Sequence, residues 1–197
     1  MKVIGLTGGV GTGKTTVARL LEREFGAYLI LTDEIAKEMM EPGGISYQLV
    51  TEYFGPTVVG TDGKINRTKL AQIVFADKEK LKLLNSFSHP FVKEYVLNEI
   101  EKIKNMQSHS MIIVETALLI EAGYMSFCDE VWVVTASLNN RRERLKLSRG
   151  YTDEKIDSIL QSQVSEEAFL QCAKQVIVND EGESQIREQI TKMIATK

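Results

Sequence analysis

Gly8-Gly9-Val10-Gly11-Thr12-Gly13-Lys14-Thr15 fits the pattern G-x-x-x-x-G-K-[ST], and its neighbours decide how it is read. Before it runs Val3-Ile4-Gly5-Leu6, an apolar stretch of strand length. After it Val17, Leu20, Leu21 and Phe25 recur at helical spacing. A strand, a glycine turn and a helix in that order form the setting in which such a loop binds phosphate. The four glycines let the backbone turn its N–H groups toward anionic oxygens, and the positive end of the following helix adds to the attraction. On this reading Gly9, Val10, Gly11, Thr12, Gly13, Lys14, Thr15 and Thr16 surround a nucleoside triphosphate. Lys14 reaches the β and γ phosphates, and the Thr15 hydroxyl serves as a ligand for Mg²⁺.

A second apolar run, Tyr28-Leu29-Ile30-Leu31, ends in Thr32-Asp33, a pair suited to starting another helix, which makes residues 3–31 a βαβ unit. Met111-Ile112-Ile113-Val114, Val131-Trp132-Val133-Val134 and Gln175-Val176-Ile177-Val178 are continuous rather than alternating, as strands covered on both faces should be. The expected fold is α/β, a five-stranded parallel sheet flanked by helices. Residues 34–108 keep mainly to helical spacing and read as a helical insertion. Within them Asp62-Gly63 signals a turn, Leu70, Ile73 and Val74 form one stripe, Leu81, Leu84 and Phe87 another, and Pro90 can open the next helix. A charged helical stretch, 138–171, precedes the fifth strand. Ile186, Ile190, Met193 and Ile194 mark an amphipathic helix closing on the sheet.

A chain of 197 residues fits one domain carrying insertions. With 43% hydrophobic residues, 26% charged and only 3 Pro, a packed core is expected and a disordered or collagenous chain is excluded. The formal net charge of -3 argues against nucleic acid or an anionic membrane as partner, so an anionic ligand must meet locally concentrated positive charge. No stretch approaches the roughly 18 apolar residues of a membrane span. Cys128 and Cys172 lack the spacing of a zinc site or a disulfide framework and read as small buried hydrophobes. The chain is expected in the cytoplasm, with oligomeric state open.

The loop alone leaves a kinase, a switch GTPase or a motor possible. The Asn-Lys-x-Asp tetrapeptide that reads guanine is absent, and the compact length with two helical inserts suits a small-molecule kinase. The core is then 1–33, 109–137 and 172–197, the acceptor-binding insertion 34–108, and the lid 138–171. Asp33, ending the second strand, stands where open α/β sheets bind ligands and can take a proton from an acceptor hydroxyl; it can also cap the following helix. Glu115, ending the third strand, can position metal-bound water or the acceptor. Arg141, Arg142, Arg144, Lys146 and Arg149 crowd the lid, where an arginine brought in by closure would neutralise the transferring phosphoryl group. Arg142, Lys146 and Arg149 share a helix face, and Arg144 lies apart from it.

The residues from Gly5 to Thr15, Asp33 with Ile35-Ala36, Glu41-Pro42-Gly43, Asp62-Gly63-Lys64-Ile65-Asn66-Arg67, Leu70-Ala71, Val74-Phe75 and Leu84-Asn85 occur in a telling order. His89-Pro90, Leu118-Leu119 with Glu121, Arg144, Arg149, Gln163 and Val176-Ile177 with Asn179 continue it. Nearly end to end the chain resembles the dephospho-CoA kinase family. The resemblance implies transfer of the γ-phosphate of ATP, with Mg²⁺, to the ribose 3′-hydroxyl of dephospho-CoA. It implies Asp33 as base, Lys14 and Arg144 as catalytic partners, and Arg149 as a second lid arginine on ATP. Thr7, Arg67, His89, Glu115 and Leu118 would line the acceptor side. Leu31, Ala117, Glu115, Arg141 and Ser158 depart from the common pattern without removing a reacting group. A nucleoside or nucleoside monophosphate kinase would share the core but take a smaller acceptor. A non-enzymatic nucleotide-dependent regulator would bind nucleotide without phosphorylating a metabolite.

Overall fold

The computed structural model describes residues 1–195. The chain divides into two compact units, one of Met1–Leu31 with the chain from Ile103 onward, the other of Thr32–Lys102.

The first unit holds a parallel sheet of β1 (Lys2–Thr7), β2 (Tyr28–Leu31), β3 (Met111–Glu115), β4 (Glu130–Thr135) and β5 (Gln175–Val178), in the order β2-β3-β1-β4-β5. The central strand β1 pairs with β3 from Lys2↔Met111 to Leu6↔Glu115 and with β4 from Ile4↔Glu130 to Thr7↔Val133. This register brings the C-terminal ends of β1, β3 and β4 to one edge, and α1 (Lys14–Phe25) springs from the loop that leaves β1 there. The helical spacing after the loop follows from packing. Val17, Ala18, Leu20 and Leu21 are buried against Ile4, Leu6, Ile113, Trp132 and Val134 of the sheet. The C-terminal helix α10 (Glu183–Ala195) adds Ile186 and Ile190, with Met193 and Ile194 partly buried on the same cluster, as the sequence pattern predicts.

One expectation needs correcting. The apolar run of β5 is not covered on both faces: Val176 and Val178 are 39% and 37% exposed. β5 is an edge strand, and only one of its faces meets the core. Its end is completed by a side chain of α10: Gln189 Nε2 donates to the Val178 carbonyl at 2.7 Å, and the Val178 N–H donates to Gln189 Oε1 at 2.9 Å.

The charged stretch expected at 138–171 forms three helices, α7 (Leu138–Arg149), α8 (Asp153–Ser162) and α9 (Glu166–Cys172). Each begins at a hydroxyl, Ser137, Thr152 and Ser165, which accepts from the backbone N–H three residues on.

The second unit carries α2 (Thr32–Met39), α3 (Ile45–Phe54), α4 (Arg67–Phe75), α5 (Lys78–Ser86) and most of α6 (His89–Met106). Asn66 caps α4 by accepting from the Lys69 N–H at 3.0 Å, and Asp77 caps α5 by accepting from the N–H groups of Glu79 and Lys80. The Asp62-Gly63 turn forms as its sequence suggests, with the Gly60 N–H on the Lys64 carbonyl and Val59 bridged antiparallel to Ile65. Val50, Val58, Ile65, Leu70 and Val74 make a separate small core, with Ile73, Leu81, Leu84 and Phe87 packed against it. Among the described residues no helix is long and apolar enough to cross a membrane.

Candidate active site

The loop after β1 is shaped by glycines that no other residue could replace cheaply. Gly8 has φ 144°, and a Cβ there would sit 2.1 Å from the Val134 carbonyl oxygen; Gly13 has φ 88°. Lys14 folds back over the loop, its Nζ donating to the carbonyls of Gly8 at 2.9 Å and Gly9 at 3.1 Å. Thr12 Oγ1 donates to the Gly9 carbonyl at 2.9 Å. The first turn of α1, which holds Lys14, Thr15 and Thr16, contains no acidic residue, so its positive end is left for an anion. Thr15 and Thr16 are exposed there.

Glu115, 5% exposed at the end of β3, comes within 3.4 Å of the Thr15 hydroxyl, which donates to its Oε2. A hydroxyl and a carboxylate side by side supply the hard oxygen donors that magnesium accepts. Among the described residues no group of three or more His, Cys, Asp and Glu could hold a metal, so an ion here would need phosphate oxygens and water to complete its shell. Thr7, at the end of β1, is fully buried and its hydroxyl has no hydrogen-bond partner among the described residues. Leu118, 38% exposed, donates its N–H to Thr116 Oγ1.

The arginines of α7 divide between two faces. Arg141 is buried and its Nε donates to the Val10 carbonyl at 2.9 Å. Burial lowers the pKa of its guanidinium, an effect opposed by Glu166, which lies 3.7 Å away. Arg144 donates through Nη2 to the Asn179 carbonyl at 2.7 Å and through Nη1 to the Thr12 carbonyl at 3.4 Å. Arg142 and Lys146 point instead to α8. Arg142 pairs with Asp153 and Asp157, and Lys146 pairs with Asp153. Arg149 is exposed, with its guanidinium 5.9 Å from the Tyr151 ring centre, and is not brought to the loop. After α8, Gln163 Oε1 accepts from the Val10 N–H at 2.9 Å. Between these groups lies a cavity of about 230 Å³ lined by Gly9, Thr12, Val133, Arg141, Gln163 and Phe169 among others.

The remaining site candidates belong to the second unit. Asp33 is exposed and lies inside the first turn of α2, which begins at Thr32, so it does not act as the N-cap. Arg67 is an exposed first residue of α4, 3.8 Å from Glu41, a distance at which an exposed pair contributes little. His89 opens α6, half-buried, and burial lowers its pKa, so it is neutral at pH 7. Both thiols are poor nucleophiles: burial, helped by Asp129, pushes Cys128 up to about 12, and burial also raises Cys172.

Sequence reasoning on the loop overlooked the parts that grip it from outside. Arg141, Gln163 and Asn179 were visible as residues, but only the fold joins positions more than 130 residues apart to Val10 and Thr12. Asp180 was missed altogether. It accepts from the Ser137 N–H and from Asn140 Nδ2, both at 2.8 Å, and so ties the start of α7 to the end of β5.

A phosphate loop between β1 and α1, under a parallel sheet of this order and with helices after β4, defines a P-loop kinase fold. A family model described as dephospho-CoA kinase matches residues 2–185, and the chain belongs to that family. It is 38% identical to a dephospho-CoA kinase of Moorella thermoacetica over 177 residues, 90% of this chain and 83% of the relative. It is 38% identical to the one of Carboxydothermus hydrogenoformans over 197 residues, 98% of this chain and 93% of the relative. The crystal structure of TT1252 from Thermus thermophilus superposes with a TM-score of 0.84 at 29% identity, covering 99% of this chain and 96% of the other.

Proposed function

We propose that this protein transfers the γ-phosphoryl group of ATP to the ribose 3′-hydroxyl of dephospho-CoA, giving CoA and ADP, the last step of coenzyme A biosynthesis in the cytoplasm. The observation that carries the reading is the cradle of residues 8–15, with Lys14, Thr15 and Glu115 converging on it, in a chain that belongs to this family along nearly its whole length. The same membership favours dephospho-CoA over a smaller nucleoside acceptor, and an enzyme over a nucleotide-dependent regulator.

The loop amides and the N-terminus of α1 hold the triphosphate, and Lys14 exchanges its bonds to the Gly8 and Gly9 carbonyls for phosphate oxygens. Thr15, with Glu115 behind it, would hold Mg²⁺. When bound, that ion spreads the negative charge of the β and γ phosphates. Asp33 orients the 3′-hydroxyl and takes its proton as the new O–P bond forms; the bond to the β-phosphate oxygen breaks and ADP leaves. Arg144 meets the charge on the transferring group, and Arg149 joins it when residues 138–171 close as a lid. Residues 34–108 receive the acceptor, with Arg67 for its phosphates and neutral His89 for hydrogen bonding. Thr7, Glu115 and Leu118 contact the acceptor from the core.

The test supplies purified protein with ATP, Mg²⁺ and dephospho-CoA and follows CoA and ADP by chromatography. Stoichiometric formation of both is expected. Folded protein that binds ATP but turns over only nucleosides or nucleoside monophosphates in a parallel panel would transfer the assignment to them.

A further inference from the structure

A phosphate loop binds anions when its N–H groups face the ligand, and its carbonyls must then face elsewhere and find donors of their own. Gly9 and Gly13 meet that need within the loop and α1, through Thr12 Oγ1 and the Val17 N–H, and Gly8 and Gly9 also accept from Lys14 Nζ until phosphate takes it. Val10 and Thr12 do not. Their carbonyls are held from distant elements, Val10 by Arg141 Nε at 2.9 Å and Thr12 by Asn179 Nδ2 at 2.8 Å, with Arg144 Nη1 a longer second donor at 3.4 Å.

Both holders are themselves fixed. Asn179 is 4% exposed, its N–H continues the β4–β5 ladder onto the Thr135 carbonyl at 2.8 Å, and its own carbonyl accepts from Arg144. Its amide can take only one orientation. The Thr12 carbonyl needs a donor, whereas Arg144 Nη2, 3.4 Å from Oδ1, needs an acceptor. Arg141 is set by burial and by Glu166. The loop sequence also makes room for these two side chains. A Cβ on Gly9 would stand 2.5 Å from Arg141 Nη2, and one on Gly13 would stand 2.2 Å from Asn179 Nδ2. Gly9 does not have a positive φ, and the Arg141 guanidinium lies against the face where its side chain would be.

We propose that Arg141 and Asn179 are positioning residues for ATP: they hold the Val10 and Thr12 carbonyls turned outward so that the Gly11 and Gly13 N–H groups, which share those peptide planes, stay aimed at the triphosphate. The inference rests on reading the loop as the ATP site. It predicts a selective effect, because the acceptor touches neither residue on that reading.

The test measures Mg-ATP affinity by calorimetry, which requires no acceptor, together with steady-state KM and kcat. Asn179→Asp keeps the shape and replaces the donor with an acceptor facing the Thr12 carbonyl. Its Kd and KM for ATP should rise about tenfold or more, while the KM for dephospho-CoA stays within about twofold. Arg141→Met should weaken ATP similarly, and Arg141→Gln, which keeps a donor, should recover most of the loss. Folded Asn179→Asp with ATP affinity within about twofold of wild type would overturn the proposal. If that variant does not fold, the Arg141 pair decides: unchanged affinity in Arg141→Met, or equal losses in Arg141→Met and Arg141→Gln, would overturn it. Wild-type protein that binds ATP but leaves dephospho-CoA untouched would sink the functional reading alone; wild-type protein that fails to bind ATP would sink both.

Discussion

The loop at residues 8–15 and the insertion at Thr32–Lys102 differ in how their shape is enforced. The loop has no core of its own. Its carbonyls are held one by one, by Lys14, Thr12, Arg141 and Asn179, at the end of a buried central strand, β1. The insertion has a small apolar cluster and helices started by local caps at Asn66 and Asp77, and its site candidates Asp33 and Arg67 stand on exposed first turns. A part that must present many dipoles to one anion needs long-range polar ties. A part proposed to receive a larger acceptor is here assembled from helices with exposed ends.

The sharpest test of this division is Asp33→Asn, which removes the proposed base and leaves the loop alone. Its kcat should fall by about 10²–10⁴-fold with ATP affinity unchanged, measured by rapid-quench turnover and calorimetry. Near-normal turnover would take Asp33 out of the chemistry. Next in size are two core truncations. Leu20→Ala, in the sheet-bound cluster, should cost about 2–5 kcal/mol in urea unfolding and weaken ATP binding, whereas Leu70→Ala, in the insertion's cluster, should fall at the low end of that range and spare ATP binding. Equal losses of ATP binding would erase the distinction between the two units. Arg67→Ala should raise the KM for dephospho-CoA about tenfold and leave the KM for ATP unchanged in initial-rate assays.

The smallest effect concerns the back of the first unit. Arg187 and then Arg23, hydrogen-bonded to Glu24, hold its carboxyl down at about 2, against an ordinary 4.5. A carboxyl with a lowered folded-state pKa stabilises the fold above 4.5 and loses that contribution as pH falls toward 2. The melting temperature of Glu24→Gln should therefore lie slightly below that of wild type at pH 7, and the gap should close across that window. Because the group is exposed, added salt should shrink the gap at pH 7.

The sequence was readable where one short stretch contains both the pattern and its reason. Residues 8–15 specify their own turn, and the stripes at Leu70-Ile73-Val74 and Ile186-Ile190 each name one buried face. It was less readable where the reason lies across the fold. Nothing local says that β3 inserts between β1 and β2, or that β5 ends the sheet with one face open. The density of the arginine cluster suggested phosphate chemistry and helical spacing set Arg144 apart from Arg142 and Lys146, but neither could say that Arg141 and Arg144 bond the loop carbonyls while Arg142 and Lys146 pair with α8. Asp33 reads as a base with a helix cap as the alternative, and the cap reading falls because the helix begins one residue earlier, at Thr32.

The Gln189 amide at the rim of β5 imitates a neighbouring strand, meeting both the N–H and the C=O of Val178 with a single side chain. A stray chain that tried to extend the sheet would find this rung taken, although Val176 and Val178 offer it an inviting greasy surface. One glutamine thus occupies both polar groups of this edge residue without bulk or charge.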